Sequence, residues 1–250
     1  MTEKPRVSIV IPAYNEGDEI NYCLDRIVEA VTLPFEVLVV CDMEEDTTMP
    51  YLHARNARDP RIVPLLNQLG RGPATAIRHG ISQASADVVV VTMADGSDDP
   101  MQIDLMTRLV ERGVVIAAAS RYMRGGQQVG GPWLKGKVSR AAGVSLHMLG
   151  RVGTHDATNS FKAYSRAFVE EVGIESDAGF EIGLELVAKA RRLGLPVAEI
   201  PTIWLDRSFG ASNFQMSAWM GRYLHWYLHA LRPPRRRPRG AVRIHHGKDS

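Results

Sequence analysis

Short apolar runs alternate along this chain with segments that are apolar on one face only. "RVSIVIPAY", "FEVLVVCD", "DVVVVTM" and "VVIAAAS" are near-continuous hydrophobic runs, the pattern of strands buried on both faces. After the first run, Asp18 precedes Ile20, Cys23, Leu24, Ile27, Val28 and Val31 at 3.6-residue spacing, which predicts an amphipathic helix. "TTMPYLHARNAR" predicts a second helix, with Pro50 tolerated in its first turn. "RIVPLLN" predicts a strand whose proline suits a sheet edge. "GPATAIRHGISQAS" predicts a helix with small residues for close packing, and another helix is expected over about Pro100 to Arg112. Strands and helices in this alternation, over about residues 6 to 120, predict a mostly parallel sheet with helices on both faces.

The pattern loosens beyond that point. "RYMRGGQQVGGPW" reads as a Gly-rich loop, followed by a helix over about Leu134 to Leu149. "THDATNSFKAYS" reads as irregular, with short helices expected around Arg166 to Val172 and Gly179 to Leu193. "VAEIPTIW" reads as one strand and "LDRSFGASNF" as a polar loop. A last helix, about Met216 to Leu231, places Met216, Met220, Tyr223, Leu224, Tyr227, Leu228 and Leu231 on one face, with Trp219 and Trp226 at its margins.

Composition narrows the classes. The net charge of +2 argues against a body that binds polyanions, and no nucleic-acid module is expected. The charge is uneven, however: Arg232 to Arg243 carries six arginines, three prolines and no acid, a composition suited to a disordered basic tail on an anionic surface. Cys23 and Cys41 read as two buried thiols, because they give neither a disulfide framework nor zinc spacing. With no signal-peptide core and no apolar run near the roughly 18 residues of a spanning helix, a cytoplasmic location is expected.

Parallel sheets bind ligands at the carboxyl ends of their strands. Those ends carry Pro12, Ala13, Tyr14, Asn15 and Glu16, then Asp42 to Asp46, then "NQLGRGPATA", then Asp95, Asp98 and Asp99, then Ser120 and Arg121. Any one aspartate there also reads as a helix cap, and Asp98-Asp99-Pro100 equally resembles an N-cap and first turn. Neither G-x-G-x-x-G after the first strand nor G-x-x-x-x-G-K-[ST] occurs, which disfavours dinucleotide folds and P-loop NTPases.

"VSIVIPAYNEGDEI", "VVCDMEEDTT", "GRGPATAIRHGI", "MADGSDDP", "SRYMRGG", "DATNSFKAYSR" and "LDRSFGASNF", in this order, resemble the motifs of inverting family 2 glycosyltransferases of the GT-A fold, over about residues 7 to 214. The most similar subgroup is the dolichol-phosphate-mannose-synthase-like enzymes, which transfer sugar to a polyprenyl phosphate. The resemblance implies an α/β GT-A domain over residues 1–214; beyond it, the residues themselves predict an amphipathic helix over 215–231 that lies on a membrane surface or packs on the body, and a basic, disordered tail over 232–250. It assigns donor-nucleotide contacts to Pro12, Tyr14, Glu16, Asp42, Gly72, Ala94, Asp95 and Arg207, and acceptor phosphate to Arg121, Lys137 and Arg140, with Lys135 nearby. It implies Mg²⁺ or Mn²⁺ held by Asp95, for which the following turn offers Asp98 or Asp99 as a second carboxylate, and catalytic roles for Asp95, Asp156 and Glu181.

The chain departs from the family pattern at Met93, where the first acid of the Asp-x-Asp should stand, at Cys41 beside Asp42, and at Asn213 in place of a lysine. A thioether is a poor ligand for hard cations. Three outcomes stay open for the metal: Asp98 or Asp99 replaces the missing carboxylate, Asp95 suffices with water and phosphate oxygens, or metal-dependent catalysis is lost. The expected partners are a nucleotide-sugar donor, a lipid-phosphate acceptor and the inner face of a membrane, with a homo-oligomer left open. Transfer to a sugar hydroxyl, with Asp156 or Glu181 as base, and a catalytically silent nucleotide-sugar-binding protein are the alternatives.

Overall fold

A computed structural model describes residues 4–131, 133–177, 179–206 and 216–234, with residues 133–135 and 216–219 described only as parts of helices. Nine strands and eight α-helices occur among these residues. A seven-stranded sheet has the order β3(Ile62–Leu66), β2(Phe35–Cys41), β1(Val7–Ala13), β4(Val88–Val91), β7(Lys162–Ser165), β5(Ile116–Ser120), β8(Val197–Pro201). All neighbours are parallel except β7, which runs antiparallel to both β4 and β5. Pro64 sits on the edge strand β3, where its missing N–H leaves no ladder bond unmade.

The valine and isoleucine runs are explained by the two faces they serve. Ile9, Ile11, Val37, Val39, Val88 and Val90 join one core with α1(Ile20–Ala30), α2(Met49–Asn56) and α4(Ile103–Glu111). The alternate residues Val10, Leu38, Val40, Val89 and Val91 join a second core with α3(Pro73–Gln83), α6(Arg166–Val172), α7(Ile182–Arg192) and α8(Met216–Leu231). Each fully buried aliphatic side chain contributes roughly 1.5–3 kcal/mol, so two-sided burial makes these strands the stable floor beneath the loops. Gly80 lets α3 close on the sheet, since a Cβ there would stand 2.4 Å from Val10 Cγ1. Cys23 and Cys41 are buried free thiols, and burial raises both to about 12.

Four expectations change. "FKAYS" is not irregular: it forms β7, inserted in the middle of the sheet. "QQV" within the Gly-rich loop forms β6(Gln127–Val129), paired in parallel with β9(Ile203–Leu205). The run "VAEIPTIW" is therefore two strands in two sheets, broken at Thr202. The fourth change concerns α8. Among its described side chains Trp226 and Ala230 are buried, with Tyr223 and Tyr227 packed beside them, while Met220, Leu224 and Leu228 are about half exposed at 51%, 54% and 51%. The aromatic side faces the body because α7 offers an apolar wall there, so the helix is apolar on two sides. α5(Trp133–Ser145) continues into a π-helical turn at Leu146–Gly150.

Candidate active site

The loops at the carboxyl ends of β1 to β5 are tied together by aspartates. After β1, Asn15 adopts a left-handed conformation (φ 54°) and its N–H donates to both oxygens of Asp46, at 3.1 and 3.0 Å. Asp46 is 1% exposed and also accepts from Thr48 N at 2.8 Å. It therefore shapes the turn that presents Tyr14, itself 49% exposed, and Glu16. Pro12 and Ala94 are buried at the ends of their strands.

Asp42 plays a matching part between β2 and α3. One oxygen accepts from Asn67 Nδ2 at 2.8 Å and the other from Gly72 N at 2.8 Å. Gly72 caps α3 at φ 111°, a backbone region that L side chains rarely adopt, so the motif needs glycine at this position.

The three aspartates after β4 separate into three environments. Asp95, half-buried, accepts from Ser97 N at 3.0 Å in a tight turn. Asp98 turns back into the protein: it is 5% exposed and accepts from Thr92 Oγ1 at 2.9 Å and Met93 N at 3.2 Å. Burial first, then the neighbouring Asp95 charge, raises its carboxyl to about 6. Asp99 caps the following 3₁₀ turn, accepting from Met101 N at 3.1 Å. Among the described residues the three carboxylates do not converge as one group of ligand atoms within 4.8 Å, so Asp98 and Asp99 do not together join Asp95. One buried atom in this turn is unpaired instead. Ser97 Oγ has no hydrogen-bond partner among the described residues. Its hydroxyl and the Asp95 carboxylate, two residues apart on one turn, offer an oxygen-only set that fits a hard divalent cation completing its shell with water and phosphate.

At the end of β5, Arg121 meets Asp156. Arg121 Nε donates to Asp156 Oδ2 at 2.7 Å, Nη2 to Oδ1 at 2.9 Å and the backbone N to Oδ2 at 3.0 Å. Asp156 is fully buried and the Arg121 side chain is 12% exposed. Asp156, expected as a candidate base, thus has its carboxylate occupied by an arginine fork. Among the described residues the Arg121 Nη1 group has no hydrogen-bond partner. Arg140 and Lys137 lie exposed on α5 nearby, and Ser139 of that helix bonds Thr158 at 2.8 Å.

Below them lies Lys162, which the sequence reading missed. It is fully buried, and its Nζ donates to Ala157 O at 3.2 Å and to Asn159 O. Burial lowers its ammonium to about 7, opposed by the Asp156 charge. No sequence signal marked it, since Lys162 opens the four-residue strand Lys162–Ser165, which carries no strand period.

Glu181 is 1% exposed, with Arg222 at 3.8 Å and no hydrogen-bond partner for either oxygen among the described residues. It lines a cavity of about 240 Å³ with Ser176, Asp177, Arg222, His225 and Trp226. Arg207 and Asn213 lie outside the described residues, as does the Arg-rich tail from residue 235.

Residues 8–173 match the model of Glycosyl transferase family 2. The chain belongs to that family. This family 2 chain is 28% identical over 218 residues to the polyprenol monophosphomannose synthase of Mycolicibacterium smegmatis, covering 85% of this chain and 82% of that protein. It is 28% identical over 214 residues to the undecaprenyl-phosphate mannosyltransferase of Micrococcus luteus, covering 83% and 87%. Against the dolichol-phosphate mannosyltransferase of Pyrococcus furiosus it is 29% identical over 217 residues, covering 84% of this chain but 59% of that protein.

Solved structures share the GT-A fold. Glucosyl-3-phosphoglycerate synthase from Mycobacterium tuberculosis, in complex with Mn²⁺, UDP and glucosyl-3-phosphoglycerate, superposes with a TM-score of 0.66 at 18% identity, over 92% of this chain and 81% of that one. A mannosyltransferase from Pyrobaculum calidifontis, in complex with GDP-Man and Mn²⁺, gives 0.59 at 20% identity, over 90% and 64%.

Proposed function

We propose that this glycosyltransferase moves a sugar from a nucleotide-diphosphate donor to a polyprenyl phosphate, with inversion at the anomeric carbon. The three named relatives support this acceptor class. The observation that carries it is the Arg121–Asp156 pair. A buried carboxylate fixes the guanidinium by two side-chain bonds and leaves Nη1 to meet an anion.

A phosphate monoester with a second pKa of about 6 is largely dianionic at neutral pH, so its oxygen has no proton to lose. It forms the new bond to the anomeric carbon as the bond to the nucleoside diphosphate breaks. Positioning and charge neutralisation suffice, and no general base is required. Asp156 then acts as a positioning residue, and Arg121, Arg140 and Lys137 hold the acceptor phosphate.

On the donor side, Tyr14 and Glu16 face the nucleotide with Pro12 and Ala94 as backbone walls. Asp42 acts through Gly72 and Asn67, whose loop it pins. Asp95 and Ser97 would hold Mg²⁺ or Mn²⁺, which supplies neutralisation of the leaving diphosphate. Asp98 supports the turn from behind.

The lipid acceptor gives the exposed side of α8 a purpose. Met220, Leu224 and Leu228 are an exposed apolar row on α8, Met148 and Leu149 are 70% and 71% exposed on the π-helical turn that contacts this helix, and the Arg-rich segment follows directly in sequence. Such a surface suits an anionic bilayer. In this reading α8 joins the catalytic body through Trp226 and meets the membrane with its other side.

A second reading has one observation in its favour. Glu181, buried beside the 240 Å³ cavity and without a hydrogen-bond donor among the described residues, has the setting of a base for a sugar hydroxyl. The two readings separate when GDP-mannose and UDP-glucose are each incubated with polyprenyl phosphate or with free sugars. Lipid-extractable label retained by Glu181→Gln supports the proposal. Label only on sugar acceptors, lost in Glu181→Gln, rejects it, and donor binding without any transfer favours a silent protein.

A further inference from the structure

We infer that His147, His155 and Glu199 form a second metal site, separate from the strand ends and suited to a borderline transition ion such as Zn²⁺. The three residues come from three elements: the π-helical turn, the segment just before Asp156, and β8. Their ligand atoms all lie within 4.8 Å of one another, and all three residues are half-buried, within reach of ions from solvent. Two imidazoles and one carboxylate are a zinc-type donor set, unlike the oxygen donors around Asp95.

The carboxylate is already oriented. Glu199 Oε2 accepts from His155 N at 2.8 Å and Thr154 Oγ1 at 3.2 Å, and Oε1 lies 2.6 Å from His155 Nδ1. Such supporting bonds are typical of metal-ligating carboxylates. His147 Nδ1 is buried and has no hydrogen-bond partner among the described residues. The two imidazoles are stacked, with centroids 3.6 Å apart and planes 18° from parallel. A metal lies in the plane of each imidazole it binds, so one ion cannot serve both rings until the stack opens. Turning His147 out of the stack breaks no hydrogen bond at Nδ1 and gives that nitrogen a partner.

The site also has a place in the fold. A Cβ at Gly143 would stand 2.2 Å from His155 O, so α5 approaches this segment backbone to backbone. An ion here would join the turn bearing Met148 and Leu149 to β8 and to the residue preceding Asp156.

The test is calorimetric titration of the full chain with Zn²⁺ in excess Mg²⁺, which occupies the oxygen site. One equivalent should bind to the wild type and to Asp95→Ala. His147→Ala, whose metal-free melting point checks its folding, should lose it, as should Glu199→Ala. Thr154→Val should weaken binding about 10- to 100-fold, the usual effect of losing a supporting bond. The inference is overturned if His147→Ala and Glu199→Ala bind Zn²⁺ like the wild type, or if Asp95→Ala abolishes the equivalent. Neither result bears on sugar transfer.

Discussion

Replacing Asp156 separates a positioning residue from a base. Asp156 is fully buried, and it holds Arg121 by two side-chain hydrogen bonds and one backbone bond. Removing one partner of a buried ion pair costs about 3–5 kcal/mol, because the other charge is left without compensation. Here two cations would be stranded, since the Asp156 charge also favours the buried Lys162 ammonium. In a chain of this length each kcal/mol shifts the melting point by about 2–4 °C, so Asp156→Ala should melt about 6–20 °C lower. Differential scanning fluorimetry at neutral pH measures this directly. An Asp156→Leu, Arg121→Met double variant should recover part of the loss, because an apolar pair replaces the stranded charge. If Asp156→Asn melted within about 2 °C of wild type yet lost all transfer, the positioning argument would be wrong and Asp156 would be a base.

Other consequences follow from the same geometry. Burial holds the Lys162 ammonium at about 7 in the folded chain, against 10.5 for an ordinary lysine, so between these pH values the unfolded chain binds the extra proton. Its burden on stability is therefore full below pH 7 and lifts as pH rises, and chemical denaturation should show a rise with pH that Lys162→Met lacks. Gly72→Ala forces a side chain onto φ 111°, and should lower stability by about 1–3 kcal/mol in urea unfolding and weaken donor binding. Asp95→Ala should abolish the dependence of transfer on Mn²⁺, whereas Met93→Ala should leave it in place. Leu224→Glu with Leu228→Glu should remove the protein from anionic vesicles in sedimentation while sparing transfer to a short-chain, water-soluble polyprenyl phosphate.

Much of the catalytic body was legible because its strands are buried on both faces. Val7 to Ala13, Phe35 to Cys41 and Val88 to Val91 read as apolar runs, and their order with the helices implied the parallel sheet. β7 was not legible. Four residues with a lysine among them carry no strand period, and Lys162 is tolerated there only because two backbone carbonyls receive its Nζ. Which side of α8 meets the body was left open, because the helix is apolar on two sides and periodicity alone does not tell which of them meets α7. At the site, motif order located Asp42, Asp95, Arg121 and Asp156. It could not show that Asp42 pins Gly72, that Asp98 faces inward, or that Asp99 serves as a cap, because each depends on side-chain direction across a turn. Asp46 was visible only as part of an acidic run, and its hold on Asn15 is a contact between distant segments.

In the proposed reaction the acceptor's own phosphate is the nucleophile, held by Arg121. The most direct test is the initial rate of sugar transfer, with saturating donor and Mn²⁺, to a polyprenyl phosphate and to the matching polyprenol without phosphate. Rapid transfer to the phosphate, little to the alcohol, and a large loss for the phosphate in Arg121→Met are expected. Equal rates for the two acceptors, or transfer to the phosphate that Arg121→Met leaves intact, would contradict it.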